Sequence, residues 1–187
     1  NPADPLGIGS WQSPGSVVSV SVAGQHCFVT DYDGGLYVLD ISNPADPRQV
    51  GFCMTAEYTT DVVADGGYAS VTEEEGCFRV IDISNPVGPH PEGDFRTWGV
   101  ASKASLDGTC AYLSVLGRGL LVLDGSNPAN PIFLGSCNAP PRDARGTELR
   151  FPCAYVTDYA DSTVQIVDIS DPAAPYVIGT CKVDGRP

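Results

Sequence analysis

The chain has 187 residues, 42% of them apolar, with 21 glycines, 16 prolines, and 23 acidic against 10 basic side chains for a net charge of −13. That charge repels nucleic acid and anionic membrane surfaces, so neither is an expected partner, and no apolar run is long enough to cross a bilayer. The chain opens without Met and without a charged and apolar leader, so any secretion signal is expected to have been removed or to lie outside this sequence.

In chain order, the first extended segment is Leu6 to Trp11, after Asn1-Pro2-Ala3-Asp4-Pro5. A hairpin follows, Val18 to Ala23 and Cys27 to Thr30, then the apolar run Gly35 to Asp40 and the phrase Val38-Leu39-Asp40-Ile41-Ser42-Asn43-Pro44-Ala45-Asp46-Pro47. The second unit begins with Arg48 to Cys53, which its two preceding prolines hold out of helix. Thr60 to Ala64 then turns at Asp65-Gly66-Gly67, whose glycines supply the positive φ a tight hairpin needs, into Tyr68 to Thr72. Glu73-Glu74-Glu75-Gly76 turns into Phe78 to Ile83, a β-branched strand. The third unit repeats the plan with Glu92 to Thr97, Lys103 to Leu106, Cys110 to Ser114 and the run from Gly119. The fourth has Ile132 to Cys137, Thr147 to Phe151, Ala154 to Thr157 and the run from Thr163, with Phe151-Pro152 in place of the glycine turn. A fifth outer segment, Tyr176 to Cys181, closes the series.

The phrase at Val38 returns at Val80, Val122 and Ile166, spacings of 42, 42 and 44 residues. A fixed period of this length marks units that cannot bury a core alone. Four short antiparallel strands per period predict an all-β chain of four propeller-like blades beginning near residues 17, 59, 101 and 144. As repeats these are residues 1–42, 43–84, 85–126 and 127–170, with a partial repeat over 171–187. No segment has a sustained helical period. Asp40, Asp82, Asp124 and Asp168 end the third strands, where an Asx or Ser turn satisfies backbone N–H groups as the chain reverses. Because they recur in every unit, they read as structural turns and not as a catalytic or metal ring.

The patterns GLYVLDISNPADP (Gly35 to Pro47), CFRVIDISNPVGP, GLLVLDGSNPANP and TVQIVDISDPAAP resemble the LVIVD repeat of bacterial and archaeal surface or secreted proteins. The resemblance spans nearly the whole chain. It implies an extracytoplasmic β-propeller and says little about chemistry.

Chemical candidates are sparse. Asp31 and Asp33, ahead of Gly34-Gly35, offer Ca²⁺ two carboxylates, with an echo at Asp158 and Asp161; the bidentate Glu of an EF-hand loop is missing. The matching turns hold Glu73 to Glu75 in one unit and Leu116-Gly117-Arg118-Gly119 in another, which favours a plain solvated turn. Two histidines, His26 and His90, accompany no HExxH, GxSxG or Walker loop, so catalysis is not expected, and no cofactor is expected beyond the Ca²⁺ candidate. Seven cysteines without CxxC or Cys-His metal spacing suit an oxidising compartment. Cys53, Cys137 and Cys181 end outer strands, Cys27, Cys110 and Cys153 start second strands, and Cys77 starts a third strand. All seven are disulfide candidates, Cys53 and Cys77 share a rim and are the one pair singled out, and the odd count leaves at least one thiol free, buried or paired with another chain. No N-glycosylation sequon occurs.

Five outer segments against four inner three-strand sets leave one outer strand in surplus. Leu6 to Trp11 and Tyr176 to Cys181 carry no Asp, Glu, Lys or Pro to blunt an edge. The expected function is thus a non-enzymatic extracellular or cell-surface structural or adhesive protein, self-associating head-to-tail by strand addition into a filament. The alternatives are a protein- or glycan-binding module, with Trp11, Tyr32, Trp98 and Tyr159 as contact residues, or a fragment of a larger closed propeller.

Overall fold

A computed structural model describes residues 3–56, 58–138 and 143–185. They contain sixteen strands and no helix, arranged as four four-stranded antiparallel sheets, each in simple sequence order. Blade 1 holds β1 (Val17–Ala23), β2 (His26–Asp31), β3 (Gly35–Asp40) and β4 (Arg48–Cys53). Blade 2 holds β5 (Thr59–Asp65), β6 (Tyr68–Glu73), β7 (Cys77–Asp82) and β8 (His90–Arg96). Blade 3 holds β9 (Ala101–Asp107), β10 (Cys110–Val115), β11 (Gly119–Asp124) and β12 (Ile132–Cys137), and blade 4 holds β13 (Ala144–Arg150), β14 (Cys153–Asp158), β15 (Thr163–Asp168) and β16 (Tyr176–Lys182).

Most strands differ from the sequence reading by a residue or two at their ends, and β13 starts at Ala144, ahead of Thr147. The outer strand of blade 2 starts at His90, ahead of Glu92. Residues 6–11 are not a strand at all. The reason is positional. An outer strand needs a third strand to pair with, and this one stands ahead of the first hairpin.

The innermost strands lie side by side in chain order, β1 by β5, β5 by β9 and β9 by β13. Between successive blades lie three apolar cores. Phe28, Leu36, Val38 and Cys53 of blade 1 meet Val62, Ala69, Val71 and Ile81 of blade 2. Phe78 and Val80 meet Ala104, Leu113 and Leu123 of blade 3, and Tyr112, Leu120 and Val122 meet Ala154, Val156 and Val167 of blade 4. Each blade thus has a leading face toward its predecessor and a trailing face toward its successor. The two faces follow from the period-two alternation of its strands.

Every outer strand carries one extra residue against its neighbour. The ladder pairs Val38 with Gly51 and then Leu39 with Gln49, leaving Val50 unpaired, and the same shift recurs at Glu92, Leu134 and Ile178. Such bulges re-aim a side chain, and Val50 and Leu134 pack against the core of the following seam.

Candidate functional site

The repeated Asp residues bind backbone. Oδ1 of Asp40, Asp82 and Asp124 accepts the N–H of Ser42, Ser84 and Ser126 at 2.8 Å, and Asp168 accepts that of Ser170 at 2.9 Å. These bonds hold all four carboxyls below the ordinary Asp pKa. The serine N–H leads for Asp40 and Asp124, the serine hydroxyl for Asp82 and Asp168. The following turn closes identically in each unit: the N–H of Asp46, Gly88, Asn130 and Ala174 donates to the carbonyl of Asn43, Asn85, Asn127 and Asp171 at 3.0 Å.

These turns do more than reverse the chain. A Cβ built on Gly51 would stand 2.0 Å from the carbonyl oxygen of Pro86 in the next blade's turn. On Gly93 it would stand 2.4 Å from the Pro128 oxygen, and on Gly135 2.6 Å from that of Pro172. Only a residue without a side chain lets these backbones approach so closely. The prolyl turn of one blade is therefore the seat for the outer strand of the blade before it.

The series continues at both ends, and the ends differ. Gly9 stands in the same relation to blade 1, its added Cβ 2.1 Å from the Pro44 oxygen. Residues 6–11 thus occupy the place of an outer strand from a blade preceding blade 1. The Trp11 ring, at the position of Cys53 and Cys137, sits 5.3 Å from the Tyr37 ring over the small cluster Val29, Tyr37 and Leu39. Gly179 has no turn against it, its added Cβ meeting only Ile166 atoms of its own blade at 3.6 Å and beyond.

Burial tells the same story. Val20 on the leading face of blade 1 is 59% exposed, whereas its counterparts Val62, Ala104 and Thr147 are 3%, 1% and 0%. On the trailing face of blade 4, Tyr155 is 36% exposed against 3%, 6% and 1% for Phe28, Ser70 and Tyr112. Val17, Val22, Tyr176 and Ile178 are exposed at the same two ends.

The other candidates fall elsewhere. Asp31 is buried and its carboxylate accepts from the Ser13 hydroxyl, from Gly15 N–H at 3.0 Å and from Asp33 N–H at 3.1 Å. Burial pushes its pKa upward, but the Ser13, Asp33 and Gly15 bonds together hold it low. Its oxygens strap residues 13–15 to blade 1, while Asp33 is exposed. Asp158, its counterpart, accepts Ala160 N–H at 2.9 Å and Asp161 N–H at 3.3 Å. Among the described residues, the side chains placed to share a cation are Asp82, His90 and Glu92, whose ligand atoms all lie within 4.8 Å.

The seven cysteines stand unbridged in the structure, Cys53, Cys77 and Cys137 buried, Cys27, Cys110 and Cys153 half-buried, Cys181 exposed. The structure shows no bridge between Cys53 and Cys77. Burial, then the Glu73 carboxylate, pushes the Cys77 thiol up to about 12, and Arg79 spans from Glu73 Oε1 at 2.8 Å to the Cys77 sulfur at 3.8 Å.

The aromatic candidates do not gather in one place. Tyr32 stacks on Tyr58 at 4.6 Å and donates to Glu74 at 2.8 Å, Trp98 packs edge-on against Phe95 at 5.2 Å, and Tyr159 lies 5.5 Å under the Arg145 guanidinium.

Three features were missed in the sequence. The outer-strand glycines are one, and their own period would have disclosed them. Asp61 is another: its buried carboxylate joins three blades at their innermost strands, accepting from Ser19 at 2.6 Å and from Ala104 N–H at 3.0 Å, with Lys103 at 3.9 Å. The third is a cavity of about 230 Å³ in the seam between blades 2 and 3, bordered by Ser70, Phe78, Val80, Ala111 and Gly125. It exists because Ser70 stands where the other blades have Phe28, Tyr112 and Tyr155, and Gly125 where they have Ile41, Ile83 and Ile169.

The family model described as LVIVD repeat matches residues 14–55, 56–97, 98–139 and 153–183. A search of curated proteins by sequence finds no match. Among solved structures, the crystal structure of the computationally designed Ika8 protein superposes with a TM-score of 0.75 at 10% identity, covering 91% of this chain and 50% of that one. Two structures of AztD from Citrobacter koseri, one of them apo, superpose with TM-scores of 0.63 and 0.62 at 14% and 15% identity, covering 92% of this chain and 48% of theirs. At these identities the likeness is one of fold. The chain spans about half the length of each.

Proposed function

This chain belongs to the LVIVD repeat family, and from that footing we propose that it is a non-enzymatic structural module of the extracellular space or cell surface, built to be continued head-to-tail by further blades. The observation that carries the reading is the pair of bare end faces. Val20 and Tyr155 are exposed at positions that the three internal seams bury in the other blades. Monomeric proteins seldom leave such apolar patches uncovered, and a leading face together with a trailing face is what each internal seam joins. The conspicuous carboxylates support a structural role, since Asp31 and the four repeat Asp residues are engaged in strapping and turning the chain. The extracellular placement rests on the abundance of cysteine and on the acidic surface, which favours solubility over contact with nucleic acid.

Native mass spectrometry and electron microscopy of the protein from its own cells, with surface labelling before lysis, test this reading. The expected result is a surface-labelled particle holding more than four blades. A monodisperse particle of 19.6 kDa at every concentration, or protein shielded from the surface label, refutes it.

A further inference from the structure

Granting that the end faces are continued by further blades, we propose that the partner is a second copy of this chain and that the contact is a strand exchange: residues 6–11 of the incoming copy take the place of β16 beside β15 of the first.

The geometry sets out the exchange. Residues 6–11 are already mounted on blade 1 as the outer strand of an absent predecessor, with Gly9 seated on the Pro44 carbonyl and Trp11 over Tyr37. They are strapped there through Ser13 and Gly15 to Asp31, and Tyr32 N–H donates to Ser16 O at 2.8 Å. The position lacks only its inner neighbours. Blade 4 offers those neighbours: β13 to β15, with a trailing face that exposes Tyr155. When the leading face of one copy stacks on that trailing face, residues 6–11 and β16 claim the same site. Translating the ladder of β15 with β16, in which Val164 faces Cys181, Gln165 faces Thr180 and Ile166 faces Gly179, places Trp11 opposite Val164, Ser10 opposite Gln165 and Gly9 opposite Ile166.

Backbone hydrogen bonds do not choose between the two strands, because either supplies a ladder to β15. The side chains choose. Trp11 opposite Val164 buries far more apolar surface against the next blade than Cys181 would there. The incoming strand also arrives already anchored to the blade it must bridge, so less ordering entropy is lost. A second copy is the fitting occupant because the three internal seams already join these two kinds of face. The contact joins two different surfaces, so it propagates or closes into a ring according to its rotation; as main-chain pairing to a sheet edge it is β-strand addition.

The test mixes unlabelled and ¹⁵N-labelled full-length protein, carrying a benzoylphenylalanine photo-crosslinker at Ser10, at moderate salt so that the net charge of −13 is screened. Mass spectrometry should find Ser10 linked to the peptide spanning Thr163–Asp168 of the other isotopic species. Trp11→Ala, or removal of residues 1–11, should weaken association at least tenfold by light scattering. Gly179→Ala should leave it unchanged, because Gly179 departs with β16. If Gly179→Ala abolishes assembly while removal of residues 1–11 does not, or if Ser10 links only within its own copy in an assembled particle, the exchange is refuted and head-to-tail stacking survives. A particle that never exceeds one copy refutes the exchange and the proposed function together.

Discussion

The Ser19 hydroxyl donates to Asp61 Oδ1 at 2.6 Å across the seam between blades 1 and 2, while Ala104 N–H of blade 3 donates to Oδ2 at 3.0 Å. One buried carboxylate therefore ties three blades together at their innermost strands. Asp61→Ala strands the Ala104 N–H and is expected to cost about 2–3 kcal/mol. Asp61→Asn, which keeps one acceptor oxygen, should cost less than half as much. Urea denaturation of the two variants beside the parent checks the order.

The glycine seats predict a contrast between equivalent positions. Gly51→Ala would drive a Cβ to 2.0 Å from the Pro86 oxygen, and the backbones must part. A loss of about 2 kcal/mol or more is expected, as for overpacking. Gly179→Ala meets only ordinary contacts with Ile166 and should melt within a degree or two of the parent.

Ser70→Phe restores the aromatic that the other blades carry and fills the cavity between blades 2 and 3. Burying that ring in existing space should stabilise by about 1 kcal/mol, a rise of a few degrees in Tm. A fall in Tm would mean that the cavity is too narrow for the ring.

Acid should loosen the turns. The folded-state pKa values of Asp31, Asp40, Asp82, Asp124 and Asp168 are depressed. The stability they contribute is full above the unfolded Asp value of about 3.9 and is lost as pH falls through the lower folded values. Tm should therefore be flat from neutrality to about pH 5 and fall below about pH 4. Replacing Asp82 and Asp124 together with Asn should shallow that fall.

Thiol reactivity should follow exposure and thiolate content. In the native protein Cys181 is expected to react first, and Cys77, buried with its thiol pushed up to about 12, last. Denaturation without reductant should release fewer than seven thiols if the protein sits in an oxidising compartment, and seven reactive thiols would remove the cysteine argument for an extracellular placement.

Much of the fold was legible in the sequence because its signals are local. Asp65-Gly66-Gly67 makes its own hairpin turn, and Asp82 with Ser84 and Asn85 makes its own reversal. A period of 42 residues is visible because each unit must repeat that chemistry. Residues 6–11 show the limit of such reading: their composition is that of an outer strand, but pairing requires a neighbour that the pattern does not supply. Asp31 shows another. Its place before Asp33 and two glycines read as a solvated turn with a weak Ca²⁺ candidate, and that pattern gave no sign that its buried carboxylate grips Ser13 and Gly15, sixteen or more residues earlier.

The residues alone were enough to establish how many blades there are, where each strand turns, and that both terminal segments share the outer-strand pattern, since turn formation and strand alternation depend on neighbours in the chain. Packing across a seam depends on neighbours about forty residues away, and it emerged only when the blades were stacked. That stacking makes Gly51 a seat for Pro86, leaves Ser70 and Gly125 around a void, and sets Asp61 between three blades. It also leaves Val20 and Tyr155 bare, because exposure is a property of what stands opposite a side chain and not of the side chain itself.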